Sequence, residues 1–215
     1  MQYGVFSDIH GDLKALIAVW KAFEKWGLTE GGRPVFNAGD NVGYGPAPEE
    51  CVQFLRARPN VVCVRGNYDK NVALFPEREE EYRKRWGQPR PDKLAAIGRD
   101  SETISAEARQ WLLDLPGEVE VTLEGVPLLM THYSPSSKHG LGRWTPDAQL
   151  REIAGHTRAK VVLCGHTHSA FVRSVGGVLW VNPGSAGRAL DRRPHCAILT
   201  LEPGHAPAAR LKTAL

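Results

Sequence analysis

Two histidines stand at the end of the apolar segment VVLC, in the sequence Gly165-His166-Thr167-His168. A buried strand gains nothing from an imidazole at its tip, and side chains at positions i and i+2 of an extended segment point the same way. A lone histidine is more often a core or surface residue than a ligand. The His-x-His spacing is a stronger indication, because imidazoles are common ligands of transition metals. The segment therefore predicts one part of a metal site.

Four other apolar segments end in the same manner. Asp8 and His10 follow the first of them, and Asp40, Asn67 and His132 follow three later ones. Taken alone, a Gly-Asp or Gly-Asn pair is a turn. Because ligands gather at the carboxyl ends of strands in open α/β sheets, the joint pattern predicts a shared site. Its seven candidate metal ligands are Asp8, His10, Asp40, Asn67, His132, His166 and His168.

The chemistry of these side chains indicates which ions they bind. Imidazoles and carboxylates left unpaired in a shared cleft would cost several kcal/mol, and metal ions remove that cost. The mixture of oxygen and nitrogen ligands, without a cysteine cluster, favours Mn, Fe, Zn, Co or Ni over Mg or Ca. We expect divalent transition-metal ions, with Mn favoured.

The elements that must position this site alternate in the first half of the chain. Strands are predicted at 2–7, 34–40 and 61–67, with helices at 13–26 and 48–58 between them, which is typical of parallel strands with helices packed on them. Further helices are predicted at 77–85 and 105–115, the latter capped by Ser105, and residues 86–93 are expected to break the helical segment.

The second half is rich in predicted strands, at 118–123, 126–133, 160–164, 170–175, 178–182 and 196–201. One helix is expected at 145–155, with Thr145 as its cap and Pro146 at its first position. The pattern predicts a single α/β domain over residues 1–215, with two packed sheets flanked by helices and a helical segment at about 70–115.

Composition narrows the classes of function. The 215 residues carry a formal net charge of +3 without a basic stripe, so nucleic-acid binding is not expected, whereas a small anionic substrate is compatible. We see neither a signal peptide nor an apolar stretch long enough to span a membrane, and expect a cytoplasmic protein. Four cysteines without CxxC spacing, Cys51, Cys63, Cys164 and Cys196, are expected to be reduced and mostly buried.

The order of these motifs resembles that of the calcineurin-like metallophosphoesterases, in particular their small bacterial and archaeal members. Asp-x-His, Gly-Asp, Gly-Asn, a lone His and Gly-His-x-His follow one another between residues 8 and 168, and GDNVGYGP (39–46) and NPGSAGR (182–188) add to the likeness. The resemblance implies a four-layer αββα sandwich of two mixed sheets. It also implies that one metal binds Asp8, His10, Asp40 and His168, and that the other binds Asp40, Asn67, His132 and His166, with Asp40 bridging.

The resemblance further implies hydrolysis of a phosphodiester or phosphoanhydride by a metal-bridging hydroxide, without a phosphoenzyme. Two divalent ions about 3.5–4 Å apart suit this reaction, because they bind both oxygens of an in-line displacement and lower the pKa of a bridging water. Asp40, Asn67 and Tyr68 are the candidate catalytic residues. Asp12 or Asp69 is a candidate hydrogen-bond partner for a ligand imidazole, and either could equally be a turn residue.

Tyr68 departs from the pattern of the resembled family. Many of its members have Gly-Asn-His-Asp or Gly-Asn-His-Glu, where that histidine is thought to protonate the leaving group, and this chain has Gly66-Asn67-Tyr68-Asp69. A phenol with a pKa of about 10 is a poor proton donor at neutral pH. The difference favours substrates with stable leaving groups, for example a dinucleoside polyphosphate or an activated phosphodiester. Tyr68 could instead stack on a base, or form a wall of the cleft without a further role.

Four residues are candidates for binding substrate phosphates, with ordinary solvated surface as the alternative for each: Lys138, His139, Arg143 and Arg188. Three alternatives stay open. A Ser/Thr-type protein phosphatase would act on phosphopeptides, and a non-catalytic scaffold with the same fold would bind fewer than two metals. A structural zinc domain would have one closed site. The predicted partner is a small phosphorylated anion such as a nucleotide, and the oligomeric state is left open.

Overall fold

A computed structural model describes residues 1–135 and 137–214. Its helices and strands follow in the order β1 (Gln2–Phe6), α1 (Leu13–Lys25), β2 (Val35–Asn37), α2 (Pro48–Arg56), β3 (Val61–Cys63), α3 (Asn67–Ala73), α4 (Phe75–Trp86), α5 (Pro91–Thr103), α6 (Ala106–Asp114), β4 (Glu118–Leu123), β5 (Val126–Thr131), α7 (Asp147–Ala154), β6 (Val161–Leu163), β7 (Phe171–Val175), β8 (Val178–Asn182), β9 (His195–Thr200) and β10 (Ala208–Thr213). No helix among the described residues is both long enough and apolar enough to cross a membrane.

The strands form two mixed sheets of five strands each, as predicted. The first has the order β10-β9-β1-β2-β3 and the second β4-β5-β6-β8-β7. In the first sheet β1, β2 and β3 are parallel, and in the second β5, β6 and β8 are parallel, with antiparallel strands completing each sheet. The carboxyl ends of the parallel strands therefore carry the loops that contain the candidate ligands.

Alternation along the strands builds the layers. Val5 of β1 packs between the two sheets together with Met130 and Leu163 of the second sheet. The next residue, Phe6, faces the other way and packs against α1 and its neighbouring helices. Trp180 and Leu150 belong to a separate cluster under α7, on the outer face of the second sheet. Because each sheet has apolar side chains on both faces, the chain forms the expected αββα sandwich.

The predicted Ser105 cap and the predicted burial of the cysteines are confirmed, and other local features agree with the sequence. Pro48 occupies the first turn of α2, and the hydroxyl of Ser105 accepts a hydrogen bond from the N–H of Ala108 at the start of α6. On α4, Glu79 and Glu80 pair with Arg83 and Lys84 one turn later, at 2.5 Å and 2.7 Å. The four cysteines are free and buried.

The helical segment differs from the prediction in two places. The third strand ends at Cys63 rather than at residue 67, and Asn67 begins α3. The helical segment is interrupted only between Trp86, where α4 ends, and Pro91, where α5 begins, rather than over the whole of residues 86–93. A proline in the first turn of a helix loses no hydrogen bond, so Pro91 starts a helix where the sequence indicated an interruption.

Two further predictions in the second half are wrong. Pro146, not Thr145, caps α7, and Pro146 therefore lies outside the helix, while the Thr145 hydroxyl accepts a hydrogen bond from the N–H of Gly142. The last strand of the chain is β10, beyond the predicted strand at 196–201. Its residues are mostly exposed and include Arg210 and Lys212, so it lacks the apolar alternation of a half-buried strand.

Candidate metal centre

The candidate ligands converge because the backbone leaves the strands in an unusual conformation. Asp8, His10, Asp40, His166 and His168 have positive φ angles of 56°, 53°, 57°, 70° and 56°. The expectation that side chains at i and i+2 converge through extended backbone is therefore wrong for both Asp-x-His and His-x-His. A non-glycine residue in the left-handed region costs of the order of 1 kcal/mol, and such strain concentrates at functional sites.

One group of ligand atoms lies at the ends of β1 and β6. The Nε2 atom of His168 is 3.3 Å from Oδ1 of Asp8, and the Nε2 atom of His10 is 3.8 Å from the same oxygen. The two Nε2 atoms are 3.0 Å apart. One atom from each of these three side chains therefore lies within reach of a single ion.

A second group lies at the ends of β2, β5 and β6. Asp40, His132 and His166 each offer a ligand atom within 4.8 Å of the others. The Nε2 atom of His132 is 3.3 Å from Oδ2 of Asp40. Asn67 lines the same cavity as Asp40 and His166.

Asp40 stands between the two groups. Its Oδ2 atom is 3.9 Å from Nε2 of His10 on one side and 3.3 Å from Nε2 of His132 on the other. Its Oδ1 atom accepts a hydrogen bond of 2.7 Å from the backbone N–H of Tyr68, which holds the carboxylate in place. Oδ2 of Asp40 therefore faces an imidazole from each group.

Backbone carbonyl groups orient two of the imidazoles. Nδ1 of His132 lies 2.7 Å from the carbonyl oxygen of Ala38, and Nδ1 of His168 lies 3.3 Å from that of Arg188. Because a carbonyl oxygen only accepts, each Nδ1 carries the proton, and when the ring is neutral Nε2 keeps a lone pair for a metal. The expected carboxylate partners take other roles, since Asp12 accepts from the N–H of Ala15 at the start of α1.

Asp69 connects the loops that hold the ligands. Its fully buried carboxylate accepts hydrogen bonds from the backbone N–H groups of Asp40, Asn41, Val42 and Gly66 and from the amide of Asn41. Burial and the neighbouring Asp40 raise the pKa of Asp69 to about 7, and the N–H donors act in the opposite direction. Asp69 therefore acts through the backbone and does not contact a ligand imidazole.

The mixture of charges shifts the pKa values of the ligands. Burial opposes ionisation of Asp40, but His132 and the Tyr68 N–H hold its pKa well below its usual range. Burial would lower the pKa of His132, and the Asp40 carboxylate raises it to about 9. Burial lowers the pKa of His10 to about 4, in spite of Asp40 and Asp8. The site thus favours ionised carboxylates and at least one neutral imidazole at neutral pH.

Unpaired polar atoms test whether metal ions fit this site. Among the described residues, three buried side-chain atoms have no hydrogen-bond partner, namely Nδ1 of His10, Oδ1 of Asn67 and Nε2 of His132. Buried polar groups without partners are rare and cost of the order of 1–3 kcal/mol each. Two of the three, in Asn67 and His132, are candidate ligand atoms. The residues fit a pair of divalent transition-metal ions.

Comparison with known proteins gives the family. A family model described as the calcineurin-like phosphoesterase superfamily domain matches residues 1–204. The chain belongs to this superfamily. An uncharacterized protein of Methanocaldococcus jannaschii is 29% identical over 202 residues, which cover 87% of this chain and 76% of that protein.

Solved structures show the same fold. A hypothetical protein from Pyrococcus horikoshii superposes with a TM-score of 0.81 at 21% identity, covering 99% of this chain and 87% of the other. A metallophosphoesterase from Sphaerobacter thermophilus superposes with a TM-score of 0.72 at 23% identity, covering 99% and 88%. These two proteins share the αββα architecture of this calcineurin-like phosphoesterase.

Two glycines in the phosphoesterase motifs are needed for close approach. A Cβ atom on Gly66 would lie 2.1 Å from Oδ1 of Asp40, and one on Gly165 would lie 2.7 Å from Oδ2 of Asp8. Both distances are far below van der Waals contact, so any larger residue would displace a candidate ligand. Glycine is therefore required before Asn67 and before His166 for steric reasons, which the sequence pattern alone did not reveal.

Tyr68 lies beside the first group of candidate ligands. Its ring is perpendicular to that of His10, with centroids 5.0 Å apart, and its hydroxyl hydrogen-bonds the hydroxyl of Tyr44. Burial and the Tyr44 hydroxyl raise the pKa of Tyr68 above its usual range. Tyr44, which was missed as a functional candidate although it lies in GDNVGYGP, itself has a positive φ of 91°.

Two of the four candidate substrate-binding residues lie at or next to the candidate site, and two lie away from it. Arg188 lines a cavity of about 220 Å³ at the metal centre, together with Asp40, and Lys138 lines a larger adjoining cleft. His139 and Arg143 are exposed and line neither of the two. Lys93 lines both and was missed, because it lies in the segment 86–93 that the sequence indicated as a break.

Proposed function

We propose that this protein is a phosphoesterase that uses two divalent metal ions, with Mn²⁺ favoured, to hydrolyse a phosphodiester or phosphoanhydride. The observation that carries the proposal is the position of Asp40. Its Oδ2 atom faces Nε2 of His10 and Nε2 of His132, each of which belongs to a separate group of three potential ligands. Membership of the phosphoesterase superfamily supports the same conclusion.

The residues would divide as the family pattern implies. Asp8, His10 and His168 would hold one ion, Asn67, His132 and His166 the other, and Asp40 both. The ions would supply an activated water for in-line attack and would neutralise charge on the phosphoryl group. Only two carboxylates belong to this ligand set, so the loaded site would keep the positive charge that attracts a phosphate.

The protein's own contribution is to hold the ligands in fixed positions and to keep the imidazoles able to bind. Carbonyl groups of Ala38 and Arg188 fix the tautomers of His132 and His168. The N–H of Tyr68 and the backbone bonds to Asp69 hold Asp40. Such preorganisation means that little rearrangement is required during the reaction.

Tyr68 limits which leaving groups a substrate of this protein can have. Its hydroxyl is engaged by Tyr44 and its side chain is 7% exposed, so it is a poor source of a proton at neutral pH. General acid catalysis contributes about 10²–10⁴-fold, and its absence penalises basic alkoxide leaving groups most. We therefore propose a substrate whose leaving group is a stable anion, such as a nucleotide phosphate or an aryl oxide.

A substrate panel with the Mn²⁺-loaded protein tests the function. We expect hydrolysis of bis(p-nitrophenyl) phosphate and of a dinucleoside polyphosphate, and slower hydrolysis of phosphoserine and phosphothreonine peptides. Preference for the peptides would indicate a protein phosphatase instead. Absence of turnover with Mn²⁺, Fe²⁺, Zn²⁺, Co²⁺ and Ni²⁺ would indicate a non-catalytic scaffold and contradict the proposal.

A further inference from the structure

A cleft of about 740 Å³ opens beside the metal centre and is continuous with it. Asn67, Lys93 and His166 line both this cleft and the cavity that contains Asp40. The volume is that of a site for a small organic ligand. A substrate held at the metal centre can therefore extend into the cleft past these three residues.

The cleft concentrates positive charge. Two carboxylates line it, Glu81 and Glu118, against six cationic side chains: Arg65, Lys70, Arg78, Arg85, Lys93 and Lys138. The whole chain has a net charge of only +3, so the excess of cations is local to this surface. Such a concave patch of one sign focuses its electrostatic field on an anion.

Among the described residues, four of these cations have no carboxylate partner and no carbonyl partner. Arg78 is 3.7 Å from Glu81, and the guanidinium of Arg65 donates to the carbonyl of Leu113, which holds the side chain but leaves its charge. In the part of the chain that the structure describes, no carboxylate lies within ion-pair distance of Lys70, Arg85, Lys93 or Lys138. These four side chains can therefore bind an anion.

Lys93 stands at the junction of the two cavities. Its Nζ atom lies 4.5 Å from the ring centroid of Trp86 and 4.9 Å from that of Tyr68. Contacts of this kind attract a cation and restrict a long side chain. The side chain is half-buried, unlike that of Lys70, which is exposed. Lys93 therefore presents an amino group at a defined position, in the region where the cleft meets the cavity of the candidate ligands Asn67 and His166.

The aromatic residues of the cleft do not suit nucleobases. Lys93 and Arg85 both lie over the ring of Trp86, at 4.5 Å and 5.3 Å, and the ring of Tyr133 lies 4.8 Å from that of His166. Proteins that bind single-stranded nucleic acid need open aromatic faces on which successive bases stack. The several cations that line one cleft instead fit a ligand with more than one phosphate.

From this geometry we infer that the cleft binds the phosphates that follow the scissile one in an oligophosphate chain, and that Lys93 selects such substrates. The inference rests on the proposed function and assigns its substrate class. At the site formed by Asp40 and the other candidate ligands, water would attack the phosphorus, the P–O bond to the next phosphate would break, and that phosphate would leave with the electron pair. One proton of the water passes to solvent, and the cleft retains the leaving anion.

Binding of inorganic tripolyphosphate tests the cleft without any catalysis. Calorimetry with metal-free protein, prepared with a chelator that is then removed, should show tighter binding of tripolyphosphate than of orthophosphate. Lys93→Gln should weaken tripolyphosphate binding about tenfold, since it removes a charged hydrogen-bond donor. Lys84→Gln is the matched control, because Lys84 is exposed on α4 and pairs with Glu80, and should change binding less than about twofold. Equal binding of the two anions, or equal effects of the two variants, would overturn the inference.

Kinetic measurements provide a second test of the inference. With Mn²⁺, Lys93→Gln should lower kcat/KM for a dinucleoside polyphosphate about tenfold and that for bis(p-nitrophenyl) phosphate less than about twofold. An equal loss on both substrates would overturn the selectivity of Lys93, and tighter binding of a phosphodiester oligonucleotide than of tripolyphosphate would indicate a nucleic-acid cleft. Selective tripolyphosphate binding without turnover of any substrate would instead contradict the proposed function and leave the cleft standing.

Discussion

The backbone N–H of Asp40 donates a hydrogen bond to Oδ2 of Asp69 over 3.0 Å. The same carboxylate oxygen accepts from the N–H of Gly66 at 2.8 Å. One buried side chain therefore joins the loop after β2 to the start of α3, and with them Asp40 and Asn67. The geometry of the candidate metal centre depends on this residue although it is not one of the candidate ligands.

Replacing Asp69 should cost both stability and metal affinity. Asp69→Asn removes the charge that the backbone N–H donors stabilise. It also places an amide NH₂ group, which is itself a donor, against some of these N–H groups. We expect a loss of about 3 kcal/mol in the free energy of unfolding, measured by urea denaturation. Asp92→Asn is the control, because Asp92 is exposed beside Arg90, and should change stability by less than about 0.5 kcal/mol. Equal stability of both variants would show that the Asp69 carboxylate does not join the loops.

Gly66→Ala should impair the metal centre while the fold persists. The new Cβ would meet Oδ1 of Asp40 at 2.1 Å, so the carboxylate must move. We expect weaker metal binding and at least about a hundredfold loss of kcat, because a displacement near 1 Å at a reacting centre has effects of this size. Gly117→Ala, where a Cβ meets nothing within 4 Å, should leave the far-ultraviolet spectrum and the melting temperature unchanged. Wild-type activity in Gly66→Ala would contradict the steric argument.

Tyr68→His should restore a proton donor beside His10. The gain should depend on the leaving group, at about 10–100-fold for a phosphodiester with an alkoxide leaving group and less than about threefold for p-nitrophenolate. Tyr68→Phe, which removes only the hydroxyl, separates this effect from packing and should change neither rate more than about threefold. Equal gains on both substrates in Tyr68→His would refute the leaving-group explanation.

The metal-free protein should lose stability at alkaline pH. The pKa of His132 is raised to about 9, mainly by Asp40 acting against burial, whereas an unfolded histidine titrates near about 6.5. The stabilisation from protonated His132 is therefore complete below pH ~6.5 and is lost as the pH rises through about 9, amounting to about 3 kcal/mol. Urea unfolding of chelator-treated protein at pH ~6 and ~9.5 measures it.

His132→Gln should remove this decline, since glutamine does not titrate. His156→Gln, at an exposed position, should retain it. A decline that persists in His132→Gln would assign it to another group.

The sequence indicates the residues of the candidate site because their types are unusual for the positions that they hold. Histidines and carboxylates directly after apolar strands have few structural reasons, so Asp8, His132 and His166 stood out. Their backbone conformation was not predictable from the same pattern. Local alternation indicates extended chain, whereas Asp8 and Asp40 lie in the left-handed region. Contacts between loops hold them there, because the N–H of Asp8 donates to the carbonyl of Gly39 and that of Asp40 donates to Asp69.

The cleft could not be predicted for a different reason. Lys93 reaches the metal centre only because α5 packs against α3 and places its amino group over Tyr68 and Trp86. The contact between Lys93 and Tyr68 joins two residues that are separated in the chain by helix α4. Nothing in the local composition of the segment WGQPRPDK indicates this contact. Formation of a polar edge strand such as β10 likewise depends on its pairing with β9 rather than on its own pattern.

The central claim is that Asp40 joins two metal ions into one hydrolytic site. Titration of metal-free protein with Mn²⁺, with bound metal and hydrolysis of bis(p-nitrophenyl) phosphate measured in the same samples, tests it most directly. The account predicts two equivalents bound per chain, with turnover appearing as the second binds, and fewer than two equivalents with at least about a thousandfold lower turnover in Asp40→Asn. Saturation at one equivalent, or two equivalents and full activity in Asp40→Asn, would contradict it.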